Sequence, residues 1–310
     1  MKITVIGSGG VGGYYGGLLA QHGQDVTFVA RGEHLKAIRK NGLQVKSVFG
    51  DFRVAPAHAV PDPGEAGPAD LVLFCTKTYA TEQAAAALKP AVGPATSVLS
   101  LQNGVDAAER IGAVIGLELM LAGATWISSS IEAPGVIKQV SQFRRVVVGE
   151  LDGRTKPRLE AVQRAFQDAG ATAELSGDIR KILWNKFVFI AAAGGMGSLT
   201  RLPIGEFRSV PEARRLLKAI MQEVEALARA QGVRLDADVV TQSLAFVDNA
   251  AASIKPSMQL DVEAGRPSEL EALIGVIGRQ GRQAGVPTPA ADFVYAALLP
   301  GELKAQAASA

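Results

Sequence analysis

The first seventeen residues constrain the chain more than any other stretch. Lys2 to Ile6 reads KITVI, a short β-branched run of the kind buried inside a parallel sheet. It passes directly into Gly7-Ser8-Gly9-Gly10-Val11-Gly12, a GxGxxG pattern, and then into Gly13 to Ala20, which can continue as helix. In that setting each glycine of the pattern has its own task. Gly7 permits the tight turn off the strand, Gly9 lets the backbone approach a pyrophosphate, and Gly12 lets the helix lie close to the sheet. The N–H groups around Ser8, Gly10 and Val11, together with the helix dipole, favour a doubly negative phosphate. Glycine-rich turns are common; the placement between a strand and a helix is what points to dinucleotide binding.

The same stretch does not read as a secretory signal. Its apolar core runs only from Ile3 to Ile6, below the roughly 7–15 residues such a signal needs. No later run approaches the roughly 18 consecutive apolar residues of a membrane span. The expectation is a soluble, cytoplasmic protein without membrane partners. The chain has 310 residues, 48% hydrophobic and 20% charged, enough to bury a full core and to form two domains. A net charge of +2 without a long basic run argues against nucleic acid as partner. The single cysteine, Cys75, excludes an intrachain disulfide and a cysteine zinc cluster, and it reads as a small core residue. His22, His34 and His58 lack ligand spacing, so no metal is expected.

Asp25 to Arg31 reads as a second strand. In NAD-preferring folds an acid about 20 positions after the glycines holds the ribose 2′-hydroxyl. Arg31 stands there instead, and a guanidinium suits a 2′-phosphate, so NADP is favoured; the alternative is a solvated loop arginine. Helix over 33–40, a hairpin-like pair over 43–48 and 52–55, and a Pro/Gly loop over 61–68 follow. Asp70 to Cys75 is a buried strand ending at Lys77, a second candidate for the 2′-phosphate at a strand's carboxyl end. After a helix over 79–91 and a strand over 97–101 comes Gln102-Asn103-Gly104. Asn103 there can donate and accept near a nicotinamide or a carbonyl, or serve only as an Asn-Gly turn residue. Three strand-like runs (119–128, 135–140, 145–150), a helix (156–169) and a strand (172–175) complete a Rossmann domain over 1–175. Residues 176–310 then read as an all-helical domain, with periodic segments over 178–193, 211–231, 237–253, 268–284 and 290–299 and a frayed tail from Ala305.

One residue of the helical half stands out. Lys186 lies within ILWNKFVFIAAA, one turn from both Ile182 and Ile190, on an apolar stripe. A partly desolvated ammonium has its pKa pushed down toward the range useful to a general acid. The alternative is a lysine snorkelling to the surface.

With these residues in view the chain resembles the ketopantoate reductase (2-dehydropantoate 2-reductase) family over nearly its full length. The resemblance rests on KITVIGSGGVGG, VAR ending at Arg31, TK at Lys77, QNG at Asn103, IRKILWNK, PSMQLD and GRPSELE. It implies NADPH-dependent reduction of a 2-oxo acid, with Lys186 protonating the oxygen that becomes hydroxyl. It further implies that Asn103 holds substrate and cofactor, that Ser257 meets the substrate carboxylate, and that Glu269 accepts from a substrate hydroxyl. Where the family carries substrate asparagines, this chain has Ile190, Gly194 and Ile204, and Ser253 or Ile254. Ile190 and Gly194 are expected to line the pocket, with Gly194 opening room, which favours a bulkier, less polar 2-oxo acid. Ser198, Thr200 or Ser253 are the alternative substrate contacts. Another dehydrogenase of this architecture, acting on a different hydroxy acid or an imine, or a non-catalytic NADP-binding sensor are the competing functions. The sequence leaves a homodimer open and does not set the oligomeric state.

Overall fold

The computed structural model describes residues 1–309. Within them the chain forms two compact units, residues 1–102 with 106–179, and residues 103–105 with those from 180 on. The first contains β1 (Lys2–Ile6), α1 (Gly10–Gln21), β2 (Asp25–Val29), α2 (Gly32–Asn41), β3 (Leu43–Ser47), β4 (Phe52–Val54), β5 (His58–Val60) and β6 (Leu71–Phe74). It continues with α3 (Thr81–Leu88), β7 (Ser97–Ser100), α4 (Ala107–Ile115), β8 (Met120–Trp126), β9 (Ser129–Ala133), β10 (Val136–Gln139), β11 (Arg145–Gly149), α5 (Pro157–Asp168) and β12 (Thr172–Leu175).

Among the described residues an eight-stranded sheet runs β12-β11-β8-β7-β6-β1-β2-β5, parallel throughout except between β8 and β11. The chain leaves β1 outward to β2 and β5, then crosses to β6 on the other side of β1. Ligands of doubly wound sheets bind at the carboxyl edge beside such a reversal. A second sheet runs β4-β3-β10-β9. Its β9 (SSIEA), mostly exposed, and the short edge strand β5 carry little apolar patterning and were not anticipated.

The second sheet explains the glycine doublets of α1. This helix lies between two sheets, so glycines are needed on two faces. A Cβ on Gly12 would press on Val5 Cγ1 and Cys75 Cβ at 2.9 and 3.0 Å, and one on Gly16 on Val5 and Phe28 at 2.7 and 2.9 Å, all on the large-sheet side. A Cβ on Gly13 would meet Ile137 at 2.7 Å, and one on Gly17 would meet Leu43, Val45 and Phe52 at 3.2–3.4 Å, on the other sheet. At Gly10 a Cβ would overlap the Ser129 carbonyl oxygen of β9. Tyr14, Tyr15, Leu18 and Leu19 fill the remaining space and are buried.

The second unit is helical: α6 (Ile179–Thr200), α7 (Ile204–Phe207), α8 (Pro211–Ala230), α9 (Val239–Asn249), α10 (Ser257–Glu263), α11 (Val276–Ala284) and α12 (Pro289–Ser309). A wider π turn, Glu271–Gly275, runs into α11. Helix α6 is long and apolar enough to cross a bilayer, with mean hydropathy 1.3, but 61% of that stretch is buried inside the protein. It is the central core helix, and Trp184, Phe187, Val188, Ala191, Ala192 and Met196 join the apolar core of this unit. Several elements differ from expectation: α9 stops at Asn249, short of the expected 253, and the short α7 and α10 lie outside the expected segments. Helix α6 continues through Gly194-Gly195 to Thr200, and α12 continues to Ser309 instead of fraying at Ala305. At Gly194-Gly195 burial against neighbouring helices outweighs weak local propensity, whereas the exposed end of α12 continues because alanine, lysine and glutamine are strong helix formers.

Candidate active site

The carboxyl edge of the large sheet brings three segments together. Ile6 is in register with Val29 of β2 and with Phe74 of β6. The glycine loop leaving β1 is therefore flanked by the exits of β2 and β6, which carry Arg31 and Lys77. Arg31 is exposed at the start of α2 and Lys77 is exposed just after β6. Gly7 has φ +86°, which a side chain would strain, and a Cβ there would lie 2.7 Å from the Thr76 backbone nitrogen. A Cβ on Gly9 would meet nothing within 4 Å, so the loop backbone there faces open space beside the N-terminus of α1. Open backbone, a helix start and two exposed cations on one edge fit a phosphorylated dinucleotide.

Gln102 was not anticipated as part of this edge. Its buried amide donates to the Thr76 carbonyl (2.9 Å), Thr76 Oγ1 (3.2 Å) and Thr81 Oγ1 (3.0 Å), fixing the segment that carries Lys77. The QNG motif was the available signal. Cys75 is held under the loop, its thiol pushed up to about 12 by burial, which leaves it unreactive at neutral pH.

In the helical unit Lys186 Nζ donates to Asn103 Oδ1 at 3.0 Å, and Asn103 Nδ2 donates to Glu269 Oε2 at 3.3 Å. An ammonium can only donate and a carboxylate only accepts, so the amide's orientation is determined by its two neighbours. Burial pushes the Lys186 ammonium down to about 8, with the Glu269 carboxylate opposing the fall. The group is thus poised to hold or release a proton near neutral pH. Glu269, 5% exposed, sits in the turn just before the helical segment, one residue ahead of Leu270. The preceding residue is anchored by a second carboxylate. Glu302 of α12 accepts from the Ser268 N–H at 3.1 Å and from the Ser268 hydroxyl at 2.5 Å. An acid inside the apolar C-terminal run is the sequence signal that marks Glu302.

The positions expected to contact substrate separate in the structure. Ile190 lies one turn from Lys186, about 6 Å along α6, and is half-buried. Gly194 opens little room: a Cβ there would make ordinary contact with Met258 and Leu273 at 3.7–3.8 Å, so a methyl fits and those side chains bound the space beyond it. Ile204 is fully buried in the core, its N–H bonded to the Ile254 carbonyl, and does not line an open pocket. Among the alternatives, Ser198 lies about 18 Å along the helix from Lys186, too far for one small acid to touch both. The Thr200 hydroxyl is turned back onto the Met196 carbonyl at 2.7 Å. Ser257 is exposed in the first turn of α10.

Comparison with known proteins gives the family. The family model described as ketopantoate reductase PanE/ApbA matches residues 3–153, and that of its C-terminal part matches residues 178–302. The chain belongs to the ketopantoate reductase family. It is similar to the 2-dehydropantoate 2-reductase of Mesorhizobium japonicum, with 31% identity covering 96% of each chain. It is also similar to the solved PanE/ApbA family ketopantoate reductase of Ralstonia eutropha, with TM-score 0.92, 32% identity, and coverage of 99% and 100%. The fold is shared with a D-mandelate dehydrogenase solved with NADH and anilino(oxo)acetate, with TM-score 0.91 at 23% identity over 99% of each chain. The chain is therefore of an oxidoreductase family whose fold pairs an α/β domain of mainly parallel strands with a helical C-terminal domain.

Proposed function

We propose that the protein reduces a 2-oxo acid to the 2-hydroxy acid with NADPH, a reaction of the 2-dehydropantoate 2-reductase type. The observation that carries this is the Lys186–Asn103–Glu269 chain, a desolvated ammonium aligned by a neutral amide whose other end is held by a buried carboxylate. NADPH, when bound, supplies the hydride for the carbonyl carbon. As negative charge grows on the carbonyl oxygen, the Lys186 ammonium stabilises it and then gives it a proton. Asn103 keeps the lysine directed, and Glu269 anchors Asn103 and accepts from a hydroxyl where the substrate carries one. The exposed Ser257 hydroxyl, at the start of α10, meets the substrate carboxylate. Residues Gly7 to Gly12 hold the pyrophosphate, and Arg31 with Lys77 holds the 2′-phosphate; NADP is favoured over NAD because Arg31, not an acid, stands two residues after β2.

The substrate tail is a second, finer proposal. Ile190, the half-buried residue one turn from Lys186, cannot pair with a hydroxyl, so a hydroxyl-poor 2-oxo acid is favoured over ketopantoate. The preference is modest, since apolar contacts reject a hydroxyl by only about 100-fold. Following NADPH oxidation with ketopantoate and a panel of less polar 2-oxo acids tests both levels. Ketopantoate giving the highest kcat/KM would remove the tail preference alone. Absence of turnover with every 2-oxo acid would remove the reaction and favour a non-catalytic NADP-binding role.

A further inference from the structure

His34, on α2, joins two segments that no covalent proximity brings together. Its Nδ1 lies 3.0 Å from the Gly135 N–H in the turn between β9 and β10, and its Nε2 lies 2.8 Å from the Ser8 carbonyl oxygen. A backbone N–H can only donate and a carbonyl can only accept. Nδ1 is therefore bare and Nε2 carries the proton, so the neutral imidazole satisfies both contacts in one tautomer alone.

The Ser8 carbonyl belongs to the planar peptide that also carries the Gly9 N–H. In a trans peptide the two groups point in opposite directions, so the imidazole that holds the carbonyl also sets the direction of that N–H. Gly9 is the loop residue facing open space. From the other side, the Ser8 N–H and hydroxyl both reach the Val29 carbonyl, at 3.3 and 3.0 Å. The loop is thus fixed between the exit of β2 and His34.

We infer that His34 is a positioning residue for the glycine-rich loop, and that the loop holds its dinucleotide best while this imidazole is neutral. The inference rests on the dinucleotide binding proposed above. Protonation would put a hydrogen on Nδ1 facing the Gly135 N–H, donor against donor, and would release the turn, the loop or both. Burial already holds the His34 pKa below its ordinary 6.5, with the Ser8 carbonyl opposing the fall. The facing groups are backbone, and the nearby charges are engaged elsewhere or exposed to solvent. On α2, Glu33 pairs with Lys36, Arg39 reaches the Ala59 carbonyl, and Arg31 is exposed at the helix start. On the second sheet, Glu132 pairs with Lys46 and Lys138. The glycine loop carries no charge.

The test is NADPH affinity of the full-length protein, followed by nicotinamide fluorescence between about pH 5 and 8, for the unmodified protein, His34→Ala and His34→Gln. The unmodified protein should lose affinity as pH falls through the histidine's range. His34→Ala should bind about tenfold more weakly at pH 8, the effect of losing one loop hydrogen bond, and should show no histidine-linked loss. His34→Gln keeps a neutral donor and acceptor, so it should bind nearer to the unmodified level with the same flattened profile. The 2′-phosphate also titrates near pH 6, and subtracting the glutamine profile removes that contribution. Affinity that rises in acid, or profiles that coincide for all three proteins, would overturn the inference while leaving dinucleotide binding intact. An unmodified protein that binds neither NADPH nor NADH at pH 8 would overturn the dinucleotide reading itself, and the inference with it.

Discussion

Replacing Glu269 by glutamine should move the alkaline limb of the reduction's pH profile to lower pH. In the proposed reduction Lys186 must be protonated, so the rate should fall as pH rises through its pKa of about 8. Burial lowers that pKa and the Glu269 carboxylate raises it. Contacts of 3.0 and 3.3 Å with one amide between them put Nζ and Oε2 no more than about 8.5 Å apart. Unit charges at that separation interact by ~0.5 kcal/mol in a water-like medium and ~2 kcal/mol at the effective dielectric of protein sites. Loss of the carboxylate should therefore lower the limb by roughly 0.4–1.4 pH units. Glutamine still offers Asn103 an acceptor, so the alignment survives the change. The assay is kcat/KM from initial rates of NADPH oxidation across pH, with the 2-oxo acid turned over best. A raised KM with an unmoved limb would mean that Glu269 touches substrate without acting on Lys186. A limb that moved upward would refute the electrostatic argument outright.

Two further substitutions test the cofactor unit. Arg31→Ala should raise the KM for NADPH and leave that for NADH little changed, because only NADPH loses a charged hydrogen bond of roughly 1.5–3 kcal/mol; equal use of both cofactors by the unmodified protein would contradict the assignment. Gly10→Ala would set a methyl group against the Ser129 carbonyl and should destabilise by about 1–3 kcal/mol, read as a Tm lowered by several degrees. An unchanged Tm would show that β9 does not press on α1. In the helical unit, Gly194→Ala should leave Tm nearly unchanged whereas Gly194→Asn should lower it, since a methyl fits against Met258 and Leu273 and an amide does not. Equal tolerance of both would mean the space is open after all.

Much of the α/β unit was legible because its strands are short apolar runs bounded by glycine and proline, and because GxGxxG between β1 and α1 has a local physical reason. What stayed hidden was nonlocal. The second glycine of each doublet in α1 makes sense only once β3, β4, β9 and β10 cover that face, and β9 has no apolar pattern to announce it. Gly194-Gly195 read as a helix end, yet packing on Met258, Leu273, Ile274 and Val294 carries α6 through them. Lys186 was conspicuous as a charge on an apolar stripe. Its bridge to Glu269 through Asn103 was not, since those residues are far apart in sequence. Ile204 and Ile190 look alike in the sequence, and only burial separates a core residue from one beside the lysine. His34 offered no spacing that a ligand motif would need, because its partners are backbone groups.

The most direct test of the assignment of Lys186 as the acid is the Lys186→Ala variant, assayed at saturating NADPH with cofactor affinity measured separately. The account predicts a kcat lowered by on the order of 10²–10⁴, an NADPH Kd within about twofold of the unmodified protein, and an intact fold by circular dichroism. A variant retaining most of its kcat would remove Lys186 from the reaction and contradict the account.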